Sequence, residues 1–527
     1  MKLNFHYFLP ELVLIGTILL LLVADFFNGA KKKGLYAVLA FAGMSGMMVA
    51  VAGTANLPAA TFFDGMVSAD AIGRFFKYIF GVSGILGVVL SLRSPEVEKA
   101  DQASYYTLLT ALVLGMMLLG SANHLLMLYL SLEMVSVLSY ILTGSLRGVR
   151  RSSEAALKYV IYGGVASGIM AYGLSLLYGM TGTMAFPEIA AFLKANAVSR
   201  PALFTAILLI MGGIGFKIAS FPFHMWCPDV YEGAPTPFTA FLSVGPKAAG
   251  FAALIRFFVV ALTQAGASGF LPVKPVGLVE LLTVLAIATM TIGNLAALWQ
   301  NNMKRLLAYS SIAHAGYLLM GFAALNTEAL NAILFYLVVY LIMNIGAFLV
   351  VLMIANQLGV EDIGGYKGLG RRGGKGTFLA LVMTVFMFSL TGIPPLAGFI
   401  GKFYLFGVVL KAGLYGLAIA GVLNSVVSLY YYVRVVKVMF FDAPDDARAL
   451  ALPAVSQTWL VGGLAALTLY LGLFWNGLAT VTVKSTGLHA AAFVPPPVVA
   501  PVTPESPPTA PVPATTPAPA APTPPPQ

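Results

Sequence analysis

The chain has 527 residues, 59% of them apolar and only 9% charged, with a mean hydropathy of +0.89. Soluble domains carry roughly 25% charged residues, so a water-soluble globular enzyme is excluded and a polytopic membrane protein is indicated. A single cysteine, Cys227, excludes an internal disulfide and a cysteine-based metal cluster. In such a chain the formal net charge of +10 gives no reason to expect nucleic acid; what matters is which loops hold the positive residues.

The opening MKLNFHYFLPELVLIG lacks a basic n-region and a small-residue cleavage site, and Glu11 interrupts its apolar run. It reads as the first membrane span and not as a signal peptide. Apolar runs able to cross about 30 Å of hydrocarbon occur at 9–29, 35–53, 72–92, 104–121, 123–145, 154–179, 203–224, 237–264, 276–299, 305–325, 329–356, 376–410, 412–441 and 457–480. The expected fold is therefore all-α, with about fourteen transmembrane helices.

Alternate loops hold the basic residues: Lys31–Lys33, Arg147/Arg150/Arg151, Lys304/Arg305 and Lys367/Arg371/Arg372/Lys375. The loops between them, such as Ala55–Asp70 and Asn326–Glu328, are nearly free of Lys and Arg. The positive-inside rule makes the basic side cytoplasmic, and an even span count places both termini on the opposite face. From about Val494 to Gln527 the chain is rich in Pro, Ala and Thr with almost no charge. Such a segment cannot bury a core, and a disordered, polyproline-type tail is expected.

Inside the spans charge is rare and expensive, about 2.5–3.5 kcal/mol per residue by insertion scales. Glu133 lies in LYLSLEMVSVLSYIL, Lys158 in SEAALKYVIYGG, Lys217 in GGIGFKIAS, Lys247 in LSVGPKAAGFAAL and Lys402 in GFIGKFYLF. His224 and His314 add two imidazoles. Arg256, Arg434 and Lys437 fall nearer span ends, where snorkelling to the interface is expected. Two of the lysines sit beside helix-breaking prolines: Lys217 before Pro222, and Lys402 after Pro394 and Pro395. Proline lacks the N–H and clashes with the preceding turn, so both runs should break inside the membrane. Glu133 is the one carboxylate near the middle of a span between about 104 and 440, and a pairing with a lysine is expected. A carboxylate partner favours the charged form of a lysine and burial disfavours it; a lysine balanced between the two can exchange protons near neutral pH without a metal or cofactor. Bland readings compete throughout. Glu133 and Lys217 could be a structural ion pair fixing helix register, Lys158 could snorkel, His224 could fill the gap left by the break, and His314 could be a satisfied core histidine. The recurring break-plus-lysine element suggests two five-span repeats, 104–264 and 276–441, preceded by three spans in 1–103 and followed by one in 457–485. An odd span number inverts the second repeat, a transporter design.

The stretches FPFHMWCPDVYEGAPTPFTAFLSVGPKAAGFAALIR, NLAALWQNNMKRLLAYSSIAHAGY and LTGIPPLAGFIGKFYLF closely resemble the antiporter-like membrane subunits of respiratory complex I, the NADH–quinone oxidoreductase, and best its subunit N branch. The resemblance covers about residues 5–485 and leaves the Pro-rich tail unmatched. It implies fourteen helices, two inverted five-helix repeats and discontinuous helices seven and twelve. It implies proton-loading and transfer roles for Glu133, Lys217, Lys247, Lys402 and Lys158; His224 and His314 join the candidates from the residue reading alone, as titratable imidazoles inside the spans. A lysine at Lys402 separates the chain from the sister subunit M, which has a glutamate there; the short C-terminal region separates it from subunit L, which continues into a lateral helix. The span count separates it from the shortened animal form. The resemblance further implies that NADH, FMN, iron–sulfur clusters and quinone belong to partner subunits, that a homologous subunit M and small membrane subunits are neighbours, and that the location is a bacterial inner membrane. Other functions in view are a subunit of a multisubunit cation/proton antiporter or membrane-bound hydrogenase, and a structural spacer in the membrane arm.

Overall fold

The computed structural model describes residues 5–28, 33–92, 94–266, 269–444 and 455–487. The expected tail lies outside the described residues, as do Lys31 and Lys32. In chain order the helices are α1 (Leu9–Asn28), α2 (Lys33–Gly53), α3 (Ala71–Ser91), a short α4 (Pro95–Lys99), α5 (Gln102–Gly120), α6 (Leu125–Thr143), α7 (Arg150–Thr181), α8 (Phe186–Ala195), α9 (Arg200–Ile218), α10 (Trp226–Gly233), α11 (Thr236–Leu242), α12 (Gly245–Ile255), α13 (Leu278–Ala297), α14 (Met303–Phe322), α15 (Thr327–Leu358), α16 (Gly373–Thr391), α17 (Ala397–Lys411), α18 (Tyr415–Phe440), α19 (Val455–Leu473) and α20 (Asn476–Gly487). Among the described residues, twelve helical units are long and apolar enough to cross a membrane, and the bent pair α19–α20 makes thirteen. The more polar α14, with Lys304, Arg305 and His314 along its 20 residues, is long enough to be one more at 1.5 Å per residue. The chain is an all-α multi-pass membrane protein of the expected size.

Several boundaries differ from the sequence reading, each for a local reason. The run 203–224 stops at Ile218, because Ala219 takes the left-handed conformation (φ 58°) and caps the helix. The run 376–410 is two helices: Gly392 (φ 92°) ends α16, and α17 starts at Ala397. The run 237–264 becomes α11, a tight turn and α12, which continues as a π-helical turn over Arg256–Ala261. The last run bends by 79° between α19 and α20. The hairpin β1 (Ala60–Phe62) with β2 (Val67–Ala69) and the helix α8 lie in gaps read as loops, and the hairpin β3 (Thr263–Gly266) with β4 (Gly269–Pro272) starts at the last two residues of the run 237–264.

The core is most complete around α11, α12 and α15, whose apolar windows are almost wholly buried, whereas α1, α2 and α7 show large exposed apolar faces. An apolar face left open on a membrane helix is the side that meets lipid or a neighbour. Small residues let the central helices approach: a Cβ at Gly250 of α12 would stand 2.7 Å from Ile218 Cγ2 and 3.3 Å from Lys217 Cβ.

Candidate functional site

The two helix breaks share one construction. α9 and α16 each end in a left-handed cap, followed by a cis X-Pro bond, Phe221–Pro222 in one and Pro394–Pro395 in the other, before the chain resumes as α10 or α17. Breaking a helix orphans carbonyls that a membrane cannot hydrate. In the first break Trp226 Nε1 donates to the Phe216 carbonyl at 3.0 Å, and its ring stacks on Tyr159. In the second, Lys402 Nζ donates to the Thr391 carbonyl at 2.8 Å and Gly398 N–H to Ser389 Oγ at 3.1 Å. Lys217 lies in the last turn of α9. Lys217 thus sits at, and the Lys402 amine reaches across the break to, the C-terminal, electronegative end of a half-helix, although one precedes its proline and the other follows it.

Lys217, Lys247 and Lys402 are all buried. None of them forms an ion pair among the described residues. Lys217 Nζ reaches Ser136 Oγ at 3.4 Å. Ser136 is one turn from Glu133 on α6, so the two share a face. Glu133 is half-buried and accepts from Ser167 Oγ. Where a pairing of Glu133 with a lysine was expected, Lys217 instead meets a hydroxyl on the carboxylate's own helix face. Lys247 Nζ donates to the Ser311 carbonyl at 2.8 Å and to Ser311 Oγ, which lies 3.4 Å from Tyr231 Oη.

From Ser311 the helix α14 carries the polar groups onward at one-turn spacing. His314 contacts Tyr336 Oη through Nδ1 at 2.5 Å and Tyr432 Oη through Nε2 at 3.2 Å. Tyr432 Oη also meets Ser310 Oγ. Tyr317, one turn further, places its ring 4.5 Å from Lys402 Nζ, and Lys402 donates to Ser425 Oγ at 3.2 Å. The Tyr336 ring lies so close to Gly401 that any Cβ there would meet it at 2.5 Å. The result is a line of buried polar groups linked by hydrogen bonds and ring contacts from Lys247 to Lys402 over α12, α14, α15, α17 and α18, with Lys217 of α9 and Ser136 of α6 packed beside α12 at its start.

The remaining sequence candidates sit elsewhere. Lys158 is partly exposed and bridges Glu154 and Asp229, each at 2.8 Å. Asp229 also pairs with Arg305 at 2.5 Å, and Glu232 with Arg305 and Arg151 at 2.9 Å each. His224 is buried in the first break, and its Nδ1 finds no hydrogen-bond partner among the described residues. Arg256 does not snorkel. It is fully buried and grips Asp70 through both terminal nitrogens at 2.5 and 2.6 Å, while Nε donates to the Gly120 carbonyl at 3.0 Å. Arg434 does keep to a helix end, donating to the Leu298 carbonyl at 3.0 Å, and Lys437 is exposed.

Residues 122–428 match the family described as NADH:quinone oxidoreductase/Mrp antiporter, TM. The chain is 46% identical over 493 residues to NADH-quinone oxidoreductase subunit N 2 of Chloroherpeton thalassium, covering 92% of this chain and 95% of that one. The chain belongs to the NADH:quinone oxidoreductase/Mrp antiporter family. Subunit N of an Anaeromyxobacter species is 44% identical, with 92% and 96% covered. Among solved structures of this family, a chain of respiratory complex I from Thermus thermophilus with bound aureothin superposes with a TM-score of 0.74 at 30% identity, covering 89% of this chain and 98% of that one. A chain of the Mrp complex from a Dietzia species gives a TM-score of 0.78 at 20% identity, with 92% and 100% covered; that likeness shows the fold alone.

Sequence reasoning overlooked several members of the polar line: Ser136, Ser311, Tyr336, Tyr432, Tyr317 and Ser425. For Ser311, His314 and Tyr317 a signal existed, since their three-residue spacing in SSIAHAGY puts them on one helix face. The others are hydroxyl residues in apolar helices, too common there to stand out.

Proposed function

We propose that the chain is the proton-translocating, antiporter-like subunit N of an NADH–quinone oxidoreductase. The observation that carries this reading is that three buried lysines on one polar line are held by hydroxyls, carbonyls and a ring instead of carboxylates. A buried charge is normally paired. A lysine without a fixed counter-charge is free to exist in either protonation state, and each neutral partner here can accept a hydrogen bond from its ammonium or, as a hydroxyl, donate one to its amine. In the proposed sequence a proton taken up from the cytoplasmic side near the first break resides on Lys217, with Glu133 setting the local field through α6. Its transfer to Lys247, on the neighbouring helix α12, leaves Lys217 neutral. Ser311, His314 and the tyrosines around it relay it along α14 to Lys402, and it leaves on the periplasmic side.

In this reading His224 assists at the first break and Lys158 tunes the cytoplasmic approach through Asp229. The stretches 104–264 and 276–441 act as inverted repeats, each contributing one broken helix. Redox cofactors and quinone reside in partner subunits, a homologous subunit M and small membrane subunits flank the chain, and the whole lies in a bacterial inner membrane with both termini periplasmic. The high identity to subunit N sequences, against 20% to the Mrp chain, favours complex I over a cation/proton antiporter. The test is Lys217→Ala in the native complex, with assembly checked on a native gel and NADH-driven quinone reduction and proton uptake measured in vesicles. An assembled complex with depressed uptake supports the reading; normal uptake overturns it.

A further inference from the structure

Away from the polar line, α15, α17 and α20 enclose a groove of about 460 Å³ on the outer side of the protein. Its two ends differ in chemistry. Glu328 stands in the first turn of α15 and Lys411 is the last residue of α17, so both mark helix ends at one membrane surface. They pair at 2.7 Å with side chains 60% and 68% exposed. Phe335 and Tyr404, which also line the groove, lie seven residues deeper on the same helices, about 10 Å further into the membrane at 1.5 Å per residue. They pack edge-to-face at 5.2 Å. The bend of 79° before α20 turns that helix across the direction of α19. Thr486 Oγ1 fixes it to Asn331 of α15, and Ala479, Thr482 and Val483 give the groove a third wall.

The geometry points to a binding site for a single phospholipid with a zwitterionic, amine-bearing headgroup of the phosphatidylethanolamine type. An acyl chain fills the aromatic and aliphatic slot, because apolar walls a turn or two below the surface have no better partner than hydrocarbon. At the surface the adjacent opposite charges match a headgroup that is itself an adjacent pair: Lys411 receives the phosphate and Glu328 the ammonium. An anionic glycerol headgroup would satisfy Lys411 and leave Glu328 repelled. A segment of another protein chain is the competing occupant, and it gives no reason for opposite charges at this depth. The site is separate from the proton line and does not depend on it.

The experiment uses the intact membrane complex in nanodiscs of equimolar phosphatidylethanolamine and phosphatidylglycerol, with retained lipids identified by native mass spectrometry after extraction into mild detergent. Gly407 lines the groove, and a Cβ there meets nothing within 4 Å, so Gly407→Phe fills the slot without touching the charges. The expected result is one phosphatidylethanolamine fewer per complex than in the parent, with phosphatidylglycerol unchanged. Should Gly407→Phe fail to assemble, the exposed variant Lys411→Gln, which removes only a surface ion pair, is expected to lose the same lipid. Unchanged retention, equal loss of both lipids, or a photo-cross-linker at position 407 capturing a protein chain would each overturn the proposal.

Discussion

Lys77, Arg256 and Lys304 are as well hidden from solvent as Lys217, Lys247 and Lys402, yet their surroundings differ in kind. Lys77 meets Glu11 at 2.7 Å, Arg256 meets Asp70, and Lys304 meets Glu361 at 2.9 Å. These pairs join distant parts of the chain, as in α1 to α3 and the start of α3 to the π-helical turn after α12. The three unpaired lysines occur instead along the central line, two at helix breaks, with neutral partners only. A paired buried cation is held in one charge state and one position, which suits a fastener. A buried amine among hydroxyls and carbonyls lacks that restraint, which suits a carrier.

The largest expected effect falls on the fasteners. Arg256→Ala removes the counter-charge of the buried Asp70, and breaking a buried pair from one side costs about 3–5 kcal/mol. The assembled complex should nearly vanish from native gels, and the double change Asp70→Leu with Arg256→Met should restore much of it. Normal assembly of Arg256→Ala would erase the distinction between the two groups of cations. Next comes Lys402→Ala, which leaves no carboxylate stranded: assembly should hold while vesicle proton uptake drops to a minor fraction of the parent's. His314→Gln should lower uptake by a few-fold only, because Tyr336, Tyr432 and Ser310 remain to hold a water in its place. If this change equalled Lys402→Ala, the imidazole would be an obligatory carrier. The smallest effect belongs to Arg151→Ala. Its side chain is 61% exposed in its pair with Glu232, and exposed pairs contribute about 0–1 kcal/mol, so assembly and turnover should match the parent within error.

The contrast also explains what was legible in the sequence. Lysines and tandem prolines are rare events in apolar runs, so Lys217, Lys247, Lys402 and both breaks stood out. Which cations were paired did not. Asp70 and Arg256 are 186 residues apart, and no periodicity links them; Arg256 therefore looked like a span-end residue. For Lys158, the i, i+4 neighbour Glu154 was readable from spacing, whereas Asp229, on the far side of the first break, needed the tertiary fold. The expected pairing of Glu133 with a lysine is not seen: Lys217 meets Ser136, one turn along α6, while Glu133 accepts from Ser167. The boundary at Ala219 was missed because hydropathy counts apolar residues and is blind to a single left-handed backbone angle, and the bend after α19 because an apolar count does not register a change of helix direction.

The most direct measurement sets Lys247→Met beside the parent in the assembled complex and records protons taken up per NADH oxidised. Methionine keeps the buried volume nearly constant and leaves no counter-charge exposed, since the hydrogen bonds of Lys247 among the described residues go to Ser311. An intact complex with a reduced proton-to-NADH ratio is the predicted result. An intact complex with an unchanged ratio would contradict the assignment of the unpaired lysines as carriers.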